Sequence, residues 1–455
     1  MLVSASSALM KMTTNRRPRF IIIGGGPGGS LMACYLGKAG YDVEVYELRD
    51  DLRVGTIPGG KSINLALSHR GIVSLARAGI IDDVMQMAVP MPGRMIHARD
   101  GSLVFQPYGR GDSQAIHSVS RGALNALLLE AAEQYSNVTL QFNAKCTGVD
   151  LNAGRATLLN TQTGDQKTVT GDVLVGADGA FSVIRRAMQR IDRFDYSQTY
   201  LKHGFKELTI PAAEGGGFRI EKHALHIWPR RSFMMIALPN ADGSFTATIF
   251  WPFEGRNSFE EIKTKDDVLR FFDEQFPDAT PHMPTLVDDY FANPTGSLVT
   301  VRCAPWYFKD KVVMLGDACH AVVPFYGQGM NAAFEDALVL DDCLRESPDD
   351  LDRVFSRYDQ LRRPHVNVLA DLAISNFVEM RDRTGSRLFL LKKKKERILN
   401  RFFPSWYLPL YTMATFSQIP YGEATRRAKN QDRIVNVVVM ILLLVLMGMF
   451  CTWIL

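Results

Sequence analysis

Gly24, Gly26 and Gly29 stand in the spacing Gly-x-Gly-x-x-Gly, and Glu47 follows 18 positions after the last of them. This set can hold a dinucleotide. Gly24 allows a tight turn out of a strand, Gly26 lets the backbone approach a pyrophosphate, and Gly29 lets helix and strand pack closely. The free N–H groups at the start of the following helix suit the anion. Glu47 can accept hydrogen bonds from ribose hydroxyls, and its charge would repel a 2′-phosphate. Two later stretches could belong to the same site. The first is Gly176-Ala-Asp178-Gly-Ala-Phe-Ser-Val-Ile-Arg185. The second runs from Gly316-Asp317 through Pro324-Phe325-Tyr-Gly-Gln-Gly to Met330-Asn331. Asp317 ends a strand, where its carboxylate can accept from a ribityl hydroxyl. The amides of Met330 and Asn331, at the positive end of a helix, would face a flavin pyrimidine edge that becomes anionic on reduction. Either later motif alone is an ordinary glycine-rich turn. The three in this order read as one flavin site.

The elements around these residues define the fold. Phe20–Ile23 is an apolar strand, residues 30–39 a helix, and residues 42–46 a second strand, which together make a βα opening. A Gly/Pro-rich loop follows at 54–61. Residues 69–78 read as a helix, 91–108 as two short strands about the Asp100-Gly101 turn, 115–120 as a strand, and 122–133 as a periodic helix begun by Arg121. Strands continue from 138, with a hairpin near 161–165, and a buried strand at 170–175 runs into the Asp178 motif. From 201 to 253 the pattern becomes long alternating strands with turns such as 240–243, the mark of a mostly antiparallel sheet. A helix at 265–275, a buried strand at 312–315 and helices at 331–346 and 351–379 complete the body.

The expected class is α/β (α+β). A Rossmann-type FAD-binding domain carries an inserted, mostly antiparallel substrate domain, followed by C-terminal helices and a transmembrane tail helix. The expected divisions are a disordered leader at 1–18; FAD-binding parts at 19–90, 111–195 and 301–350; substrate-domain parts at 91–110 and 196–300; a helical region at 351–433; and the tail at 434–455.

A chain of 455 residues can bury a large core and form two domains. Its net charge of +4 is uneven. Residues 381–433 hold 13 Lys/Arg against 4 Asp/Glu, which leaves the remainder at 39 against 44. A mildly acidic body argues against a nucleic-acid partner. The six cysteines are scattered without a Cys-x-x-Cys pair, as expected of reduced thiols with no metal site or disulfide framework. Residues 434–455 contain no charged side chain and are long enough to span a bilayer. Arg426, Arg427, Lys429 and Arg433 precede them, so the body is expected on the cytosolic side. The run Lys392–Lys395 is either a solvated face or a headgroup contact. Residues 398–417 could form a second span, but Arg401, two prolines and Tyr411 favour a helical element packed on the site.

The three motifs resemble the class A flavoprotein aromatic hydroxylases over about residues 19–345. Gly93–His97, 203–208, 225–230, 233–239, 323–336, 376–381 and 410–413 resemble, within that class, the kynurenine 3-monooxygenase family over nearly the whole chain. The resemblance implies bound FAD, with contacts from Gly28, Ala66 and Arg121 beside Gly24, Gly26, Gly29, Glu47, Asp178, Asp317, Met330 and Asn331. It implies NADPH as a transient reductant, O2 as co-substrate, and hydroxylation of L-kynurenine through a flavin C4a-hydroperoxide. Arg94 and Tyr108 match residues that pair the substrate carboxylate, and a guanidinium fork beside a phenol suits that group. Asn376 and Tyr411 match further pocket residues. Glu379 and Met380 share a helix face with Asn376 at i+3 and i+4. Pro324 and Phe325 would border the flavin ring, and no side chain is needed as acid or base. Without the resemblance, Arg94 would read as a surface ion-pair partner, Tyr108 as a surface residue, and Asn376 as helix packing. His320 reads as a structural hydrogen-bond partner. The resemblance also points to the mitochondrial outer membrane, which an apolar tail with basic flanks fits. Two other readings are a membrane-bound flavin monooxygenase acting on another aromatic, quinone or lipid, and a non-enzymatic flavoprotein adaptor.

Overall fold

The computed structural model describes residues 17–54, 64–109, 114–379 and 387–454. Most of the expected leader, the loop at 55–61 and Met380 lie outside these residues.

Phe20–Ile23 is buried along its whole length, as a strand covered on both faces must be. It runs parallel to Val173–Gly176 on one side and Val43–Tyr46 on the other. Val312–Met314 and Val138–Gln141 extend the sheet in parallel, and Tyr307–Phe308 closes one edge antiparallel. The carboxyl ends of the central strands therefore open on one edge, where ligands bind in open α/β sheets. All three glycine-bearing motifs leave the sheet there. The first helix is Pro27–Lys38, three residues earlier than the pattern suggests. Proline at the first helical position has its φ preset and loses no hydrogen bond, so the helix starts on it.

The alternating stretch forms a seven-stranded sheet in the order Gly296–Ala304, Asp195–Ile210, Phe245–Pro252, Phe233–Pro239, Leu225–Arg230, Gly93–His97, Leu103–Pro107. Pairing is antiparallel throughout except between Leu225–Arg230 and Gly93–His97. The hairpin at 93–107 is thus the continuation of a sheet whose other strands begin only at Asp195. One face packs on the helices Lys265–Gln275 and Leu286–Ala292. There the buried imidazoles of His97 and His226 lie 2.8 Å apart, and His97 Nδ1 meets Asp278 Oδ2 at 2.5 Å. The opposite face, which carries Ile96, Ile227 and Phe250, packs on Phe325 and the 28-residue helix Leu351–Val378.

Residues 398–417 do not form one membrane-length helix. Helix Arg387–Phe402 ends before a non-helical turn, and the short helix Leu410–Thr415 then packs against the body. The terminal helix, Tyr421–Ile454, begins inside the protein, where Tyr421 is fully buried. Its apolar stretch from Ile434 to Met449 is exposed, apart from a buried Val435, and the helix is long and apolar enough to cross a membrane.

Candidate active site

A cavity of about 330 Å3 opens at the carboxyl edge of the parallel sheet and runs under the seven-stranded sheet. At one end lie Gly26, Gly28 and Gly29. The first hydrogen bond of helix Pro27–Lys38 is from Ser30 N to Gly26 O, 2.9 Å, so the amides of Gly28 and Gly29 precede the helical ladder. Each glycine meets a different constraint. Gly24 has φ +107°, and a Cβ there would lie 2.3 Å from Ala177 O. A Cβ on Gly29 would lie 2.0 Å from Gly24 O, whereas one on Gly26 would meet nothing within 4 Å. Glu47 accepts from Gly25 N at 2.8 Å and so fixes the turn from beside it.

Ala66, Arg121, Gly316, Asp317, Pro324, Phe325 and Met330 line the cavity as well, and Ala333 stands between Gly28 and Gly316. Helix Gly329–Glu346 makes its first backbone bond from Ala332 N to Gln328 O, 2.8 Å. The amides of Gly329, Met330 and Asn331 are therefore free of helix partners. Two helix N-termini thus border one cavity. The Asn331 side chain is fully buried and faces away: Oδ1 accepts from Ser68 N at 2.9 Å, and Nδ2 donates to Ala66 O at 2.8 Å and Gly327 O at 3.0 Å. Asp178 does not line the cavity. Its Oδ2 accepts from Val183 N at 2.6 Å and so caps the helix Val183–Met188, while Oδ1 has no partner among the described residues.

Asp336 braces the Gly316-Asp317 turn from behind. It accepts from Gly316 N at 3.0 Å and from Arg362 Nε at 2.8 Å, and it pairs with His320 Nε2. Burial alone would raise the Asp336 carboxyl, but His320 and Arg362 outweigh it and hold it below the usual range. His320 is thereby a structural partner, buried and aimed at Asp336.

The residues expected on the substrate side assemble around Arg94. Its guanidinium carbon lies 5.2 Å from the ring centre of Tyr108 and 4.9 Å from that of Tyr411, and these two rings stack at 5.3 Å. Tyr326 packs on Tyr411 at 5.6 Å. Arg94 Nε and Tyr108 Oη are both buried and have no hydrogen-bond partner among the described residues. Burial works against the Arg94 charge, but the flanking phenols outweigh it. Burial also pushes the Tyr108 phenol well up, so it stays protonated and can donate. Asn376 donates to the Phe325 carbonyl at 2.6 Å, which ties its helix to the loop under the cavity, and Glu379 ends that helix. Phe325 is held between Phe377, stacked at 4.2 Å, and Phe250 at 4.8 Å.

Sequence reasoning missed several lining residues. Met234, Ile236 and Leu238 present one face of a strand to the cavity beside Leu225 and Phe250. They share one face of the strand, but the run from Phe233 to Pro239 is apolar throughout, so the sequence does not show which set of side chains faces the cavity. Gln328, whose Oε1 accepts from the Ser68 and Tyr421 hydroxyls at 3.2 Å each, gave no such signal.

The model of the FAD binding domain family matches residues 19–373. Kynurenine 3-monooxygenase from Myxococcus xanthus (strain DK1622) is 45% identical over 425 residues, which covers 93% of this chain and 91% of that protein. The chain belongs to the kynurenine 3-monooxygenase family. Its counterpart from Dictyostelium discoideum is also 45% identical, over 431 residues, 91% of this chain and 92% of that one. Among solved structures, tetrameric 2-methyl-3-hydroxypyridine-5-carboxylic acid oxygenase superposes with a TM-score of 0.67 at 22% identity, covering 81% of this chain and 94% of that one. That likeness shows the aromatic hydroxylase fold. As a member of the family, the protein is an FAD-binding flavoprotein monooxygenase. The cavity fits the cofactor: two helix starts suit the diphosphate and the flavin ring, and the open side of Gly26 leaves room for phosphate against the backbone.

Proposed function

We propose that this enzyme hydroxylates L-kynurenine ortho to its ring amine in tryptophan catabolism. NADPH, O2 and a proton are consumed, and 3-hydroxy-L-kynurenine, NADP+ and water are released. The observation that carries this reading is the cage of Arg94, Tyr108 and Tyr411. A buried guanidinium with an unpartnered Nε, beside a phenol with an unpartnered hydroxyl, leaves a place for a carboxylate at the cavity wall. A buried donor left unmade costs about 1–3 kcal/mol, so a ligand carboxylate there is strongly favoured. A quinone or lipid would leave both groups unpaired.

FAD, held by Gly26, Gly28, Gly29, Asp317 and the helix start at Met330, would supply the hydride acceptor for NADPH and the chemistry that activates O2. The protein's share is positional. Arg94 and Tyr108 hold the amino-acid end. Leu225, Met234, Ile236, Leu238 and Phe250 give the ring an apolar wall and exclude water. Pro324 and Phe325 set the floor where the reacting ring edge lies. The aniline nitrogen activates its own ortho carbon, so no buried base is required. Product analysis under 18O2 tests this. One labelled atom is expected in 3-hydroxy-L-kynurenine; oxidation of NADPH to H2O2 alone, with kynurenine recovered unchanged, rules the reading out.

The exposed apolar part of the terminal helix, preceded by Arg426, Arg427, Lys429 and Arg433, supports a membrane anchor with the body in the cytosol, and the family resemblance is what suggests the mitochondrial outer membrane. Deleting residues 434–455 is expected to move the protein from the membrane pellet to the soluble fraction. Persistence of the truncated protein in the pellet would mean that residues 381–420 hold the membrane as well, and loss of the full-length protein from the pellet on alkaline carbonate extraction contradicts the anchor.

A further inference from the structure

Arg70 is a buried cation outside the cavity wall, and the reaction does not use it. It is the second residue of helix His69–Ala78 and is 1% exposed. Each of its nitrogens is committed. Nε donates to Ala414 O at 3.0 Å, Nη2 donates to Ile419 O, and Nη1 meets Glu335 Oε1 at 2.7 Å. Its guanidinium carbon also lies 4.1 Å from the ring centre of Tyr421. Three segments distant in sequence meet on it: the cofactor-side helix that follows Ala66, the helix Gly329–Glu346 that begins at the cavity floor, and the C-terminal stretch 414–421. Glu335 is shared with Arg362 at 2.7 Å, and Arg362 binds Asp336, which braces Gly316.

The carbonyls that Arg70 holds lie in and just after the last turn of the short helix Leu410–Thr415. Tyr411 is three residues before Ala414, on the same helix, and lies against Arg94 and Tyr108. We propose that Arg70 is a positioning residue for the substrate cage: its fork clamps helix Leu410–Thr415 to the cofactor half and so sets how closely Tyr411 closes on Arg94. A planar fork spreads its donors over three nitrogens and so reaches two carbonyls and a carboxylate that stand apart, whereas the three donors of an ammonium radiate from one atom and cannot span the same positions. Tyr421 supplies the fourth side of the clamp through its ring face. The proposal rests on the substrate reading above only for the ligand used to measure it.

Arg70→Lys in the full-length holoenzyme tests it. The charge opposite Glu335 is kept and the bridge is lost. The KM for L-kynurenine is expected to rise about tenfold, with kcat within about twofold, full FAD content, and more NADPH diverted to H2O2. Hydrogen exchange of the unliganded protein reads the clamp without any substrate. Amides across 410–419 should exchange faster in Arg70→Lys, and those across 329–346 should be unchanged. If the wild type fails to use kynurenine, the substrate reading falls, and the exchange result alone decides the clamp. Unchanged exchange across 410–419, or a KM within twofold of wild type in an active enzyme, overturns the proposal. Should Arg70→Lys fail to fold, Tyr421→Leu and Tyr421→Phe decide. Loss of the ring should raise KM severalfold and speed exchange at 410–419, whereas Phe, which keeps the ring, should restore both. Equal behaviour of the two overturns it.

Discussion

Replacing Arg94 with alanine is expected to raise the KM for L-kynurenine about a hundredfold while FAD stays bound. A charge-assisted hydrogen bond to a buried carboxylate contributes about 1.5–3 kcal/mol, and each 1.4 kcal/mol is tenfold, so a two-point contact reaches two orders of magnitude. The loss should fall on binding, because the carboxylate is remote from the ring carbon that reacts. Residual turnover should also leak reducing equivalents to H2O2, since a loosely held ring no longer excludes water. Arg94→Lys should recover only part of the loss, because an ammonium cannot fork and stacks less well between Tyr108 and Tyr411. Steady-state kinetics with paired NADPH and product assays check this. A KM within threefold of wild type in Arg94→Ala would mean that the carboxylate sits elsewhere.

The second large effect separates two glycines three residues apart. Gly29→Ala should yield little soluble holoprotein. Its Cβ would lie 2.0 Å from Gly24 O, and both atoms belong to a backbone fixed by the parallel sheet, so the turn cannot relax. Gly26→Ala should fold with a melting temperature near wild type, because nothing lies within 4 Å of the new methyl. That methyl enters the cavity where the diphosphate must approach the chain, and FAD should bind at least tenfold more weakly. Flavin content after desalting, read beside thermal melts, distinguishes them. Equal stability and equal flavin content in the two variants would remove the cradle from this end of the cavity.

Much of this was legible because local chemistry announces it. An apolar β-branched run before Gly24-x-Gly26-x-x-Gly29 leaves little choice but a strand, a tight turn and a helix, and Pro27 even marks where the helix starts. The apolar run at 233–239 marks a buried strand, although it does not show which of its side chains face the cavity. Long-range partnerships left no such trace. Asn331 can be placed at a helix start from sequence, but its side chain is spent on Ser68 and Ala66, more than 260 residues away. Asp178 sits in a recognisable motif, yet one of its oxygens serves as a helix cap. The gathering of Ala414, Ile419, Tyr421 and Glu335 around Arg70 depends on how the last hundred residues fold back over the first. No periodicity encodes that. The substrate cage is an intermediate case: Arg94 and Tyr108 flank one hairpin, but Tyr411 reaches them only through the C-terminal helix.

A kynurenine site beside the flavin meets its sharpest test in anaerobic stopped-flow reduction of the FAD-loaded protein by NADPH, with and without saturating L-kynurenine. Flavin bleaching should be at least tenfold faster with kynurenine present, and this stimulation should be lost at the same concentration in Arg94→Ala. Equal rates with and without kynurenine, together with no spectral perturbation of the oxidised flavin when kynurenine is added, would contradict a kynurenine site beside the flavin.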